Sequence, residues 1–94
     1  MVTVIATIQS KAGKENETAL LLRGLLSPTR SEPGCNKYLL HRRKDNPRMF
    51  YFVESWATPE ALQTHLNSAH IKQAMARGPE LLESIDIAEV DPFE

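Results

Sequence analysis

Cysteine is nearly missing from this chain: Cys35 is the only one in 94 residues. No intrachain disulfide framework can therefore brace the fold, and a reducing compartment is the expected setting. Cys35 follows Pro33-Gly34 at the start of a predicted strand, where a small half-buried side chain is the ordinary outcome. Only Lys37, expected on the same strand face, stands where it would lower the thiol pKa. An excess of one charge is missing as well, since eleven Lys and Arg against twelve Asp and Glu leave a formal net charge of −1. That balance gives no general pull toward nucleic acid or anionic lipid. The longest apolar run, MFYFV, is about five residues, far short of the roughly 20 a membrane span needs, and no basic-then-apolar segment opens the sequence. The expectation is a cytoplasmic protein with neither a membrane nor a nucleic-acid partner. No Gly-rich phosphate loop, nucleophile elbow or dinucleotide fingerprint occurs, so no cofactor is expected. At this length one domain, residues 1–94, is expected.

What is present is a regular alternation of strand and helix patterns. Val2 to Gln9 is β-branched and alternates, with Val4, Ala6 and Ile8 on one side and Thr3, Ile5 and Thr7 on the other. Lys11-Ala12-Gly13 breaks the strand. From Lys14 a helical stripe follows, built on Ala19, Leu22 and Leu26 with Leu20, Leu21 and Leu25 beside it, and this helix is expected to end near Ser27-Pro28. Ser31-Glu32-Pro33-Gly34 is a turn signal. CNKYLLHRR then predicts a second strand, Tyr38 and Leu40 on one face and Leu39 and His41 on the other, and Lys44-Asp45-Asn46-Pro47 turns it into a hairpin with MFYFVESW. Thr58 caps a helix that opens on Pro59 and runs to about Leu66, Ser68 caps again, and a further helical piece carries Ile71, Ala74 and Met75 as far as Gly78-Pro79. SIDIAEV, residues 84–90, closes as the fourth strand. The order strand, helix, strand, strand, helix, strand is the α+β, ferredoxin-like split βαβ arrangement, with helices on one face of an antiparallel sheet.

The third strand carries Phe50, Phe52, Glu54 and Trp56 on one face and Met49, Tyr51, Val53 and Ser55 on the other. Both faces are largely apolar. A sheet with helices on one side and water on the other should alternate apolar with polar, so the second face predicts a homodimer formed through the sheets.

The same stretch concentrates the reactive side chains. His65 lies on the core-facing side of its helix, either as a satisfied core histidine or as a general base or donor to a ligand oxygen. Glu54 shares a face with three aromatic residues. It is either ionised against an Arg or Lys, or raised in pKa by burial and suited to proton transfer. Trp56 offers a flat apolar face and one N–H, for core filling or for stacking on an aromatic ligand. His70, five positions after His65, would turn about 140° away on an unbroken helix, but the break at Ser68 lets the two approach. His65, His70 and Glu54 together match no recognised ligand spacing, so no metal is expected. Arg42, Arg43, Lys44 and Arg48 gather at the hairpin tip, as a solvated loop or as an attractor of an anionic ligand toward a pocket mouth.

The opening VTVIATIQSKAG, the turn SEPGCNKY and the block FVESWATPEALQTHLNSAH resemble the antibiotic biosynthesis monooxygenase superfamily, close to its small bacterial quinol monooxygenase members. The most specific element is E-x-W, then A-L-x-x-H-L, then S-x-H, here Glu54, Trp56, Ala61, Leu62, His65, Leu66, Ser68 and His70. The resemblance implies a dimeric α+β barrel with a pocket between sheet and helices in each subunit. It also implies oxidation of a small aromatic quinol or phenol by molecular oxygen without flavin, metal or haem. His65, Glu54 and Trp56 are then the expected catalytic groups, and Tyr38, Phe52 and His70 the expected substrate contacts. Phe52 stands where the aromatic polyketide oxygenase branch has an asparagine. A further branch isomerises a phosphorylated compound and shares the two-histidine block. Isomerisation of a phosphorylated small ketone is therefore one alternative, and a non-catalytic ligand-binding dimer is the other.

Overall fold

The computed structural model describes residues 1–94. The chain runs β1 (Val2–Ser10), α1 (Glu15–Arg23), α2 (Leu26–Arg30), β2 (Cys35–Arg42), β3 (Met49–Trp56), α3 (Pro59–Leu66), α4 (Ala69–Ala76), α5 (Gly78–Leu81) and β4 (Leu82–Val90). The strands form one sheet in the order β2-β3-β1-β4, every neighbouring pair antiparallel. This is the ferredoxin-like α+β fold. The register puts Val4, Ala6 and Ile8 opposite Glu54, Phe52 and Phe50. The period-2 pattern of each strand thereby becomes one continuous inner face, capped by Leu22, Leu62 and Ala74 from the helices and by Leu25 from the break between α1 and α2. Each large apolar side chain buried there stabilises the fold by about 1.5–3 kcal/mol.

Local chemistry sets the helix that carries the candidate site. Thr58 Oγ1 accepts the Ala61 N–H at 3.1 Å, and Pro59 at the first helical position gives up an N–H that would have no partner there. The helix stops at Asn67, and Ser68 starts the next one by accepting the Ile71 N–H at 3.4 Å. Gly34 has φ 85°, and a Cβ at that position would stand 2.7 Å from the Ala61 Cβ. Glycine is required on both counts. Its carbonyl accepts the Ala57 N–H at 2.8 Å, which ties the 31–34 turn beneath the start of α3.

The structure corrects four local expectations. The first helix does not end at Ser27-Pro28. It breaks at Gly24–Leu25, and Pro28 sits in the opening turn of α2, where its missing N–H costs nothing. Leu20 is not part of the apolar stripe, being 70% exposed. The buried position is taken instead by Thr18, whose hydroxyl meets that of Ser10 at 2.9 Å. Lys37 does not share a face with Cys35, because the register shifts between them and sets Cys35 opposite Trp56 but Lys37 opposite Ser55. That shift is a β-bulge, which turns the following side chain to the other face. Finally, β4 begins at Leu82 rather than Ser84.

Candidate active site

Between the inner face of the sheet and helices α1, α3 and α4 lies a cavity of about 50 Å³. Of its sixteen lining residues only Glu54 and His65 are not hydrophobic, so any polar event inside must involve one of them or the Tyr38 hydroxyl. A dry apolar cavity of about 150 Å³ holds a benzene molecule. At its present size this one admits an aromatic ring only if side chains move. Its rim includes Met75, Ile85 and Ile87, which are 42%, 37% and 48% exposed and mark the open side.

His65 is 2% exposed. Its Nδ1 lies 2.7 Å from Glu32 Oε2. An ionised carboxylate can only accept, so with a neutral imidazole this bond places the proton on Nδ1 and leaves the Nε2 lone pair for a ligand. The ring is held on two further sides, by Trp56 at 4.5 Å between centroids and by Tyr38 edge-on at 5.4 Å. The same Glu32 oxygen is 3.0 Å from His70 Nε2. Ser68 completes the cluster: its hydroxyl donates to the His65 carbonyl at 2.7 Å and stands 3.3 Å from His70 Nε2.

Glu54 is 5% exposed and accepts a hydrogen bond from the Trp56 indole N–H at 2.9 Å. No Arg or Lys pairs with it, which settles the choice between ion pair and uncompensated burial. Burial pushes its carboxyl above the usual range, against the pull of the indole bond and of nearby His65. Tyr38 stacks on Phe52 at 4.5 Å. Its phenol is pushed far above the ordinary value by burial and then by the charge of Glu54, so it stays a donor. Burial, followed by Glu32 and Glu54, likewise raises the Cys35 thiol, the wrong direction for a nucleophile.

Of the residues singled out from the sequence, His65, Glu54, Tyr38 and Phe52 line the cavity together. Trp56 does not reach it; it is fully buried and acts on the site through Glu54 and His65. His70 lies outside, on a groove with Leu20, Gln73 and Arg77. The carboxylate that joins the two histidines is Glu32 and not Glu54. Glu32 is thus the residue the sequence reading missed as part of the site, seeing it only inside a turn signal. The basic hairpin tip contributes nothing to the cavity lining. Arg42 lies over the Phe50 ring at 4.9 Å, Arg43 pairs with Asp45 at 2.7 Å, and Arg48 Nε donates to the Ser10 carbonyl at 2.9 Å.

Residues 1–77 match the family model described as antibiotic biosynthesis monooxygenase. The chain is 30% identical over 81 residues to the uncharacterised protein sll1783 of Synechocystis, a match covering 86% of this chain and 55% of that protein, so it spans little over half of that relative's length. It is 27% identical to YcnE of Bacillus subtilis, named as a candidate monooxygenase, over the whole of both chains. The crystal structure of PA3566 from Pseudomonas aeruginosa superposes with a TM-score of 0.94 at 31% identity, covering 99% of this chain and 94% of that one.

Proposed function

The chain belongs to the antibiotic biosynthesis monooxygenase family, and from that premise we propose that it is a cofactor-independent monooxygenase that oxidises a small aromatic quinol or phenol with molecular oxygen. One observation carries this reading. A buried imidazole lines a cavity whose only other polar lining residue is Glu54, and a carboxylate on its Nδ1 fixes the tautomer and leaves the Nε2 lone pair unengaged. Such a nitrogen is a general base directed at whatever hydroxyl enters.

The chemistry that follows needs only the substrate and oxygen. His65 Nε2 takes the hydroxyl proton, and the resulting phenolate in a dry site is electron-rich enough to reduce oxygen. Carbon–oxygen bond formation gives a ring hydroperoxide. Loss of the ring C–H proton with cleavage of the O–O bond then leaves a carbonyl on the ring, and the departing hydroxide takes up a proton as water. A quinol and one O2 become a hydroxyquinone and one water. All four electrons come from the substrate. Glu54, held protonated toward higher pH by its burial, and the Tyr38 hydroxyl supply hydrogen bonds to the oxygens that gain charge. Oxygen uptake with a simple quinol, above the rate of autoxidation, should fall about a hundredfold in His65→Ala. Equal rates for the two proteins would overturn the reading.

The working unit in this proposal is a homodimer. The outer face of the sheet leaves Ile5, Leu39 and Val90 38%, 42% and 36% exposed around half-buried Tyr51 and Val53. An apolar sheet face without helices favours burial against a second copy, giving the dimeric α+β barrel.

A further inference from the structure

Glu32 Oε2 is held between two imidazoles from successive helices, 2.7 Å from His65 Nδ1 and 3.0 Å from His70 Nε2. We propose that Glu32, His65 and His70 form a zinc site at the rear of the cavity, and that its occupation switches off the cavity base.

Two nitrogens and one carboxylate oxygen are a donor set for a borderline ion such as Zn²⁺, whereas Mg²⁺ and Ca²⁺ prefer oxygen alone. Zinc bonds of about 2.0–2.2 Å in a tetrahedron place neighbouring donors roughly 3.3 Å apart. Two of the spacings here, 2.7 and 3.0 Å, fall a few tenths of an ångström short of that value, and all three donor atoms lie within 4.8 Å of one another. Small rotations of Glu32, on its turn, and of His70 open the space. The His70 side chain is 23% exposed and Glu32 12%, which supplies an entry path and a position for a water as fourth ligand. Trp56 and Tyr38 already fix the plane of the His65 ring, so one ligand is pre-oriented. His65 and His70 come from separate helices because Ser68 restarts the chain; on one continuous helix they would diverge.

The consequence follows from the tautomers. Without an ion, His65 carries its proton on Nδ1 and offers a lone pair at Nε2. Zinc bound to Nδ1 requires the proton on Nε2, and zinc bound to Nε2 of His70 moves that proton to Nδ1. No net proton is released by the two neutral rings, but Nε2 of His65 changes from acceptor to donor. The loss of activity this implies rests on the oxygenase reading; the binding and the tautomer change do not.

The full-length protein, stripped with a chelator, should take up one zinc per chain when titrated calorimetrically with zinc sulfate. Glu32→Gln and His70→Ala should each weaken binding at least tenfold, with circular dichroism confirming the fold. The more exposed His70 provides the safer variant. Co²⁺ should give the visible spectrum of a tetrahedral site in the wild type and lose it in both variants. No uptake, or uptake indifferent to both substitutions, overturns the site. Long-range ¹⁵N–¹H spectra should show the His65 proton move to Nε2 on zinc addition, whatever the turnover; a proton that remains on Nδ1 overturns the switch. If the zinc-free protein oxidises no quinol, the oxygenase reading falls while these two measurements still decide the zinc site. If it does, saturating zinc should lower oxygen uptake at least tenfold, reversibly with chelator, and the ratio of rates with and without zinc should return to near one in His70→Ala. Zinc bound at these residues with undiminished turnover overturns the switch.

Discussion

Phe52 and Val53 are neighbours in β3, yet they belong to two different surfaces of the molecule. On the inner face Phe50, Phe52, Glu54 and Trp56 are at most 5% exposed, and the polar members find partners, Trp56 on Glu54 and His65 on Glu32. On the outer face Met49, Tyr51, Val53 and Ser55 are all half-buried, and the apolar side chains around them remain partly open. On the inner face each of these polar groups has a hydrogen-bond partner, though Glu54 has no cation to offset its burial. The outer face has no such cost to meet and simply lacks a cover. The proposed function thereby places chemistry and assembly on opposite sides of one sheet, a single residue apart along β3.

The most severe way to break the comparison is to cut each face at adjacent residues. Phe52→Ala should lose about 3–5 kcal/mol of stability in a denaturant titration. Val53→Asp should keep the far-ultraviolet spectrum but run as a monomer in size exclusion with light scattering; a wild type that is itself monomeric at micromolar concentration would remove the assembly half of the comparison.

A smaller effect separates the positioning carboxylate from the fold. Glu32→Gln keeps the shape of the side chain but loses the charge that favours the Nδ1–H tautomer of His65. The rate of quinol oxidation should fall about ten- to a hundredfold, mainly in kcat, with the melting temperature little changed. A fall in stability without a fall in kcat would reassign Glu32 to structure alone.

The smallest expected effect concerns Glu54. Its folded pKa is raised by burial, so the folded state holds the proton where the unfolded state has already released it. Stability is full below the ordinary carboxylate range and declines as pH rises through the folded value. Glu54→Gln keeps an oxygen for the Trp56 indole and removes that decline. Calorimetric scans should show the variant melting a few degrees higher at neutral pH, with the two proteins converging in acid.

Much of this was legible along the chain. The alternation of β3 assigned each of its eight residues to the correct face, and Thr58 and Ser68 marked both starts of the broken helix because their hydroxyls act on N–H groups three residues away. Leu20 was not legible in this way: the α1 stripe is broad enough to include it, and only the seating of the helix with Thr18 and Leu22 inward leaves it in solvent. Nor was the bulge near Asn36, since one extra residue leaves no mark on hydropathy yet reverses the face of Lys37. Pro28 misled for a related reason, because proline ends a helix or sits in its first turn, and only the break at Gly24–Leu25 decides between them.

The sequence by itself determined the order of strands and helices, the two faces of β3, and the gathering of Glu54, Trp56, His65 and His70 on one strand–helix unit, and its motifs pointed to the family to which the chain belongs. The elements and faces are consequences of local periodicity and capping, in which the interacting groups lie within a few residues of one another. Only the tertiary structure decided that Glu32, 33 residues before His65 and 38 before His70, closes the site, and that Trp56 supports the cavity without lining it. A carboxylate and an imidazole can meet across that separation only after the sheet order and the Gly34 turn have set two distant elements against each other, and no local pattern records that contact.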